Sequence, residues 1–195
     1  MFTKNEKKAI RFLFANTGTD HSINELSRLL GMSPNGTIKI LKKYSKEGIL
    51  NTKKIANINS YIINFENEKT DALIELVLIP HLDLRLQNRY EDLKGLKEVT
   101  EAAVIFGSYT DPKKKPNDID ALFVLKEQNY KNFRNKLQEV ISPVKIHDIL
   151  QTREDLKKNI IKKDKIIMEI LNNGIILWGQ STIIEVMRDA YSRQT

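Results

Sequence analysis

The stretch from Ala102 to Leu125 constrains this chain most. Ala102-Ala103-Val104-Ile105-Phe106 is an apolar run that predicts a buried strand, and it stops at Gly107-Ser108. A polar loop follows, with Pro112, Pro116 and the lysines Lys113, Lys114 and Lys115. A second strand then opens on Asp118 and Asp120, with Ala121 to Leu125 as its apolar body. Side chains two apart on a strand share a face, so the two carboxylates stand side by side while Ile119 turns into the core. Paired carboxylates repel each other unless a cation lies between them. Hard oxygen donors in this arrangement suit magnesium, which is held by one or two carboxylates together with phosphates. Glycine permits the tight turn and a close backbone approach, and a helical turn opening at Gly107-Ser108 would aim free amides at a phosphate. The loop leaves room for one such turn or two.

An apolar residue, Gly107-Ser108, a loop of this size and then Asp118-Ile119-Asp120 resemble the signature of the DNA polymerase β-type nucleotidyltransferase superfamily, in particular its minimal nucleotidyltransferase branch. The run Val144-Lys145-Ile146-His147-Asp148-Ile149-Leu150 alternates apolar and polar as a strand does. In that superfamily a later strand brings a third carboxylate, and Asp148 is the candidate. The resemblance implies transfer of a nucleoside monophosphate from a nucleoside triphosphate, with ATP as the expected donor, at a site of two Mg2+ ions. Asp118 and Asp120 would hold both ions, and Asp148 would hold one and help deprotonate the attacking hydroxyl, while Gly107 and Ser108 would bind phosphate. The transferase reading rests on the convergence of these three acids. His147 lies on the face opposite Asp148 and reads as structural. One departure concerns the residues after Gly-Ser, where minimal members usually have a small residue and an arginine. Tyr109-Thr110-Asp111-Pro112 stands there instead.

Charge separates the chain into two parts. Residues 1–66 carry 11 basic against 5 acidic side chains, a net +6, whereas residues 67–195 carry 21 against 20. A basic first third points to a polyanion-binding module, the alternative being a solvated lysine-rich surface. Thr3-Lys4-Asn5-Glu6 and Ser22-Ile23-Asn24-Glu25 read as capping boxes that open helices. Gly31 stops the second helix, Ser33-Pro34 opens a third, and that third helix turns Ile38, Leu41 and Tyr44 inward. Ile49-Leu50, a polar patch and Tyr61-Ile62-Ile63 predict a hairpin. Three helices and a hairpin resemble a winged helix-turn-helix domain. In such a domain the third helix enters the major groove of double-stranded DNA. Ser33, Asn35, Thr37 and Lys39 would lie nearest the bases, Lys42 and Lys43 nearer phosphates, and Lys53 and Lys54 on the wing. Helix-turn-helix units that only contact proteins are the alternative. RNA is disfavoured as the partner, because the major groove of an A-form helix is too deep and narrow to read.

The expected architecture is α+β: a winged helix over 1–66, a helical connector over 67–99, and a nucleotidyltransferase domain over 100–195 with a mixed sheet flanked by helices. In the connector, Ala72, Leu73, Leu76, Val77 and Ile79 form one predicted stripe, and Leu84, Leu86, Tyr90, Leu93 and Leu96 another. These stripes serve core packing or homodimerisation equally well. Further helices are expected over 129–140, 152–159, 162–172 and 182–191, with a short strand at Ile175 to Gly179. The absence of cysteine excludes disulfides and cysteine-based zinc sites. No apolar run approaches the roughly 20 residues a membrane span needs, so a cytoplasmic protein without a membrane partner is expected. Two functions remain in view. One is a magnesium-dependent nucleotidyltransferase with a DNA-binding, transcription-regulating head, whose acceptor is a protein hydroxyl (as in antitoxin relatives that adenylylate a helical HEPN-type toxin), an RNA end or a small molecule. The other is a transcriptional regulator whose nucleotidyltransferase-like domain binds nucleotide without turnover.

Overall fold

The structure, a computed structural model, describes residues 2–55, 58–111, 113–114 and 116–191. The chain divides into two compact units, Met1–Leu78 and Ile79–Thr195. The division falls between Leu78 and Ile79, within the stretch 67–99 expected as a connector. Pro80 lies just past the break and cannot continue a helix.

In the first unit, helix α1 (Lys4–Ala15) starts at the reciprocal capping box of Thr3 and Glu6. Helix α2 (Ile23–Leu30) is capped by Ser22 and ends on Gly31 in the left-handed conformation. Helix α3 (Pro34–Lys46) is capped by Ser33 and has proline in its first turn. Strands β1 (Leu50–Ile55) and β2 (Ile58–Ile63) pair antiparallel; their connection, residues 56–57, lies outside the described residues. Helix α4 (Thr70–Leu78) packs back on α1. Two stripes differ from expectation. Helix α3 buries Thr37, Leu41 and Tyr44 rather than starting its stripe at Ile38. Helix α4 buries Ile74, Val77 and Leu78, leaving Leu76 and Ile79 about half exposed. Both correct stripes follow helical spacing, which a neighbouring run of aliphatic residues satisfies almost as well.

In the second unit, α5 (Leu84–Leu93) is capped by Asp83 and continues into a 3-10 turn, Lys94–Glu98. Leu84 lies outside the stripe and is 74% exposed. Strand β3 (Ala102–Phe106) pairs antiparallel with β4 (Asp118–Val124). Helix α6 (Tyr130–Glu139) leads to β5 (Lys145–Gln151), which runs parallel to β4. Helices α7 (Arg153–Ile161) and α8 (Lys165–Asn173) precede β6 (Ile175–Trp178) and α9 (Gln180–Tyr191). The mixed sheet has the order β5-β4-β3-β6, so the fold is α+β. One sheet face carries Ile105, Ile119, Ala121 and Phe123 into a core with Leu86, Leu93, Leu96 and Phe133 of α5, the 3-10 turn and α6. The other face meets α7, α8 and α9. Trp178 anchors β6, its indole N–H donating to Thr100 Oγ1 at 3.2 Å.

Candidate functional site

The site forms where β3 ends and β4 begins. Phe106, the last residue of β3, is the register partner of Asp120. The chain then turns through a single 3-10 turn, Gly107–Thr110. Gly107 has φ +67°, and a Cβ there would run into Asp120 Oδ2. Only glycine suits both the backbone and the space. The backbone of the Gly-Ser turn therefore presses directly against one of the two carboxylates.

Asp118 and Asp120 share the strand face turned away from Ile119, and their side chains are 37% and 30% exposed. The parallel register pairs Asp120 with His147 and Ala121 with Asp148. Partners in register point the same way. His147 therefore joins the two acids, with Nδ1 3.3 Å from Asp118 Oδ2 and 3.6 Å from Asp120 Oδ1. Among the described residues, Asp118, Asp120 and His147 each offer one ligand atom, all within 4.8 Å of one another. Two carboxylate oxygens and an imidazole nitrogen form a donor set for a divalent cation.

Asp148 does not join them, and the expectation that it would is corrected. It points to the α5–α6 face, where Arg134 of α6 donates from Nη1 to its Oδ1 at 2.8 Å. The physical reason is strand parity: Asp148 has the parity of Ile146 and Leu150, which pack against the core of that face. His147, read from the sequence as structural, lies beside the two acids.

The loop after the Gly-Ser turn is held by a residue that sequence reasoning missed. Arg85 of α5 donates to the carbonyls of Tyr109 (2.9 Å), Lys114 (3.3 Å) and Asp111 (3.4 Å). Its guanidinium also lies over the Tyr109 ring, 5.4 Å from the centroid, with Tyr109 buried beneath. Nothing local marks Arg85, whose partners lie 24 to 29 residues on. Ser108 and Lys114 line a cavity beside the turn, while Lys113 is solvated; Lys115 lies outside the described residues.

In the first unit, the residues expected to meet nucleic acid differ in their freedom. Asn35, Lys39, Lys42, Lys53 and Lys54 are exposed. Ser33 is committed to capping Gly36 N. Thr37 is fully buried and donates its hydroxyl to Ser33 O at 3.1 Å, so it cannot reach a base edge. Lys43 is tied to Glu6 at 2.7 Å. Lys53 lies 3.7 Å from Asp20. The Lys43 ammonium, then the Thr3 backbone amide, hold the Glu6 carboxyl down at about 2 against an ordinary 4.5.

The sheet, the Gly-Ser turn and the paired aspartates all lie within one continuous stretch of the second unit. Residues 91–180 match the family model described as Polymerase beta, Nucleotidyltransferase, which supports a nucleotidyltransferase domain over that stretch. No curated protein and no solved structure matches the chain. Among the described residues, no helix is long and apolar enough to cross a membrane.

Proposed function

We propose that the second unit transfers a nucleoside monophosphate from a nucleoside triphosphate to an acceptor hydroxyl. The observation that carries this reading is not a convergence of three acids but the grouping of Asp118 and Asp120 with His147, Asp120 lying against the Gly107 backbone, inside the stretch that matches the nucleotidyltransferase model. Asp118, Asp120 and His147 would hold the divalent cation, Mg2+ by the hardness of the carboxylates, with Mn2+ also suited by the imidazole nitrogen. When bound, such a cation neutralises phosphate charge and polarises the phosphorus–oxygen bonds. Gly107 and Ser108 present the open backbone and hydroxyl of the turn to the phosphates, and Lys114 adds a positive charge at the adjoining cavity. Arg85 fixes the turn and loop, so these donors are held in place before the nucleotide arrives. ATP is the donor this reading favours, and a toxin-like HEPN protein hydroxyl is one acceptor that fits it.

A second reading is favoured by one observation. Asp148 faces away, so the site holds two acids and an imidazole where the resemblance implies three acids. That set supports a domain that binds a nucleotide–metal complex without turnover and uses it to regulate. The first unit, with its net +6 over residues 1–66 and exposed Asn35, Lys39 and Lys42 on α3, serves in both readings as a winged helix that binds double-stranded DNA and regulates transcription. A homodimer would suit a palindromic operator.

Incubation with α-labelled triphosphates, divalent cation and candidate acceptors decides between them. Label transfer that Asp118→Asn and Asp120→Asn abolish supports the transferase. Tight nucleotide binding without transfer to any acceptor or to water supports the regulator.

A further inference from the structure

A cavity of about 550 Å³ opens beside the Gly-Ser turn, with Gly107, Ser108 and Lys114 on one side and α8 on the other. Its size lies within the roughly 300–1,000 Å³ of small-molecule sites. Helix α8 contributes Ile166, Glu169, Ile170 and Asn173. The spacing i, i+3, i+4, i+7 puts these four on one stripe. Ile170 is buried and forms the floor. Ile166 is 59% exposed, a large aliphatic side chain left open beside the charged groups Asp111, Lys114 and Glu169 that also line the cavity. Glu169 offers acceptors only, and Asn173 offers both a donor and an acceptor.

The cavity joins the carboxylate site through Gly107, whose backbone lines it while pressing on Asp120. A nucleotide whose phosphates lie at Asp118, Asp120 and the Gly-Ser turn must direct its sugar and base away from the sheet end. A nucleoside has flat apolar faces and a hydrogen-bonding rim. The α8 stripe supplies the complement: aliphatic surface from Ile166 and Ile170, and polar groups at helical intervals from Glu169 and Asn173.

We infer that this cavity is the nucleoside subsite of the second unit, with Ile166 packing on the base or sugar face and Glu169 and Asn173 as the specificity-determining groups of α8. The inference rests on the nucleotidyltransferase reading of the same site. It assigns to α8 a part in choosing the nucleotide, separate from the phosphate and cation positions.

Isothermal titration of the full chain in Mg2+ with inorganic tripolyphosphate, ATP and GTP tests it. Ile166→Ser sits at an exposed position in the first turn of α8, and Glu169→Gln is nearly isosteric; thermal melting verifies that both remain folded. Ile166→Ser should weaken both nucleotides about tenfold, given the apolar surface removed, and leave tripolyphosphate within about twofold. Glu169→Gln should change the ratio of ATP to GTP affinity with tripolyphosphate again unmoved. Nucleotide affinities unchanged in both variants, or changed in step with tripolyphosphate, would overturn the subsite. Failure of the parent chain to bind tripolyphosphate or either nucleotide would overturn the nucleotidyltransferase reading beneath it.

Discussion

Asp120 and His147 are register partners on neighbouring parallel strands, and the imidazole Nδ1 lies 3.6 Å from the Asp120 carboxylate. The same nitrogen lies 3.3 Å from Asp118 Oδ2, so His147 completes a group of three side chains that could hold a cation. Imidazole is a weaker partner for Mg2+ than for Mn2+ or later first-row ions. His147→Ala should therefore lower Mn2+ affinity about tenfold and Mg2+ affinity less. His147→Asp should raise Mg2+ affinity above that of the parent. Electron paramagnetic resonance of free Mn2+, with Mg2+ competition, measures both. Equal Mn2+ affinity in parent and His147→Ala would show that the imidazole is no ligand.

Gly107 is the second dependency of the site. At φ +67°, with Asp120 Oδ2 where a Cβ would go, Gly107→Ala should cost roughly 1–3 kcal/mol of stability and displace the carboxylate. The expected result is a melting temperature lowered by several degrees, together with loss of cation binding. A variant with the parent's melting temperature and cation affinity would show that the backbone approach is not needed.

Much of this was legible in the residues, and the misses have physical causes. The run Ala102 to Phe106 is β3 residue for residue, and Asp118 does head β4, because an apolar run bounded by Gly-Ser and by a polar loop leaves little freedom. Helix starts at Thr3, Ser22, Ser33 and Thr152 were written in their caps. Asp148 was expected beside the two acids although strand parity pointed the other way. Ile146 and Leu150 share the face of Asp148 and are apolar, like Ile119, so that face is core and His147 shares the acids' side. Arg85 could not be found in this way, since its role depends on how α5 packs and not on any local pattern.

Asp148 should behave as a structural group. Its side chain is 11% exposed, and Arg134 is its ion-pair partner. Its Oδ2 is buried without a hydrogen-bond partner. Removing Arg134 leaves a nearly buried charge uncompensated, whereas removing the charge itself relieves it. Arg134→Ala should thus destabilise the second unit by about 1–2 kcal/mol, more than Asp148→Asn does. Neither should change cation affinity at Asp118 and Asp120. Denaturant melts beside metal titrations of both variants test this. Loss of cation binding in Asp148→Asn would return that residue to the site.

Acid should weaken the first unit through Glu6. Its folded-state pKa of about 2 lies below the ordinary 4.5, chiefly because of the Lys43 ammonium and then the Thr3 amide. A depressed carboxyl stabilises the folded state fully above its unfolded value, and that contribution is lost as pH falls from about 4.5 through about 2. Lys43 is pushed up from 10.5 by the same contact, so its own titration leaves the acid range untouched. Lys43 is half exposed, so solvent screens the pair and its contribution is small. Glu6→Gln should therefore be less stable than the parent at pH 7, with the difference closing towards pH 2 to 3 in urea melts. A difference independent of pH would exclude the ion pair as its cause.

The proposed binding of double-stranded DNA through α3 should depend unequally on its residues. Lys39 and Lys42 are exposed and free to meet phosphates. Each phosphate contact contributes about 0.9 to the slope of log affinity against log salt. Lys39→Ala with Lys42→Ala should therefore flatten that slope by about 2 and weaken binding to all sequences alike. Lys43→Ala should lower stability as well as affinity, because Lys43 also neutralises Glu6. Thr37→Ala should leave the choice of base unchanged and lower the melting temperature, since the Thr37 side chain is buried against the first turn of its own helix. Fluorescence anisotropy with operator and scrambled duplexes across a salt series measures slope and specificity together. An unchanged slope in the double variant would remove α3 from the nucleic-acid interface.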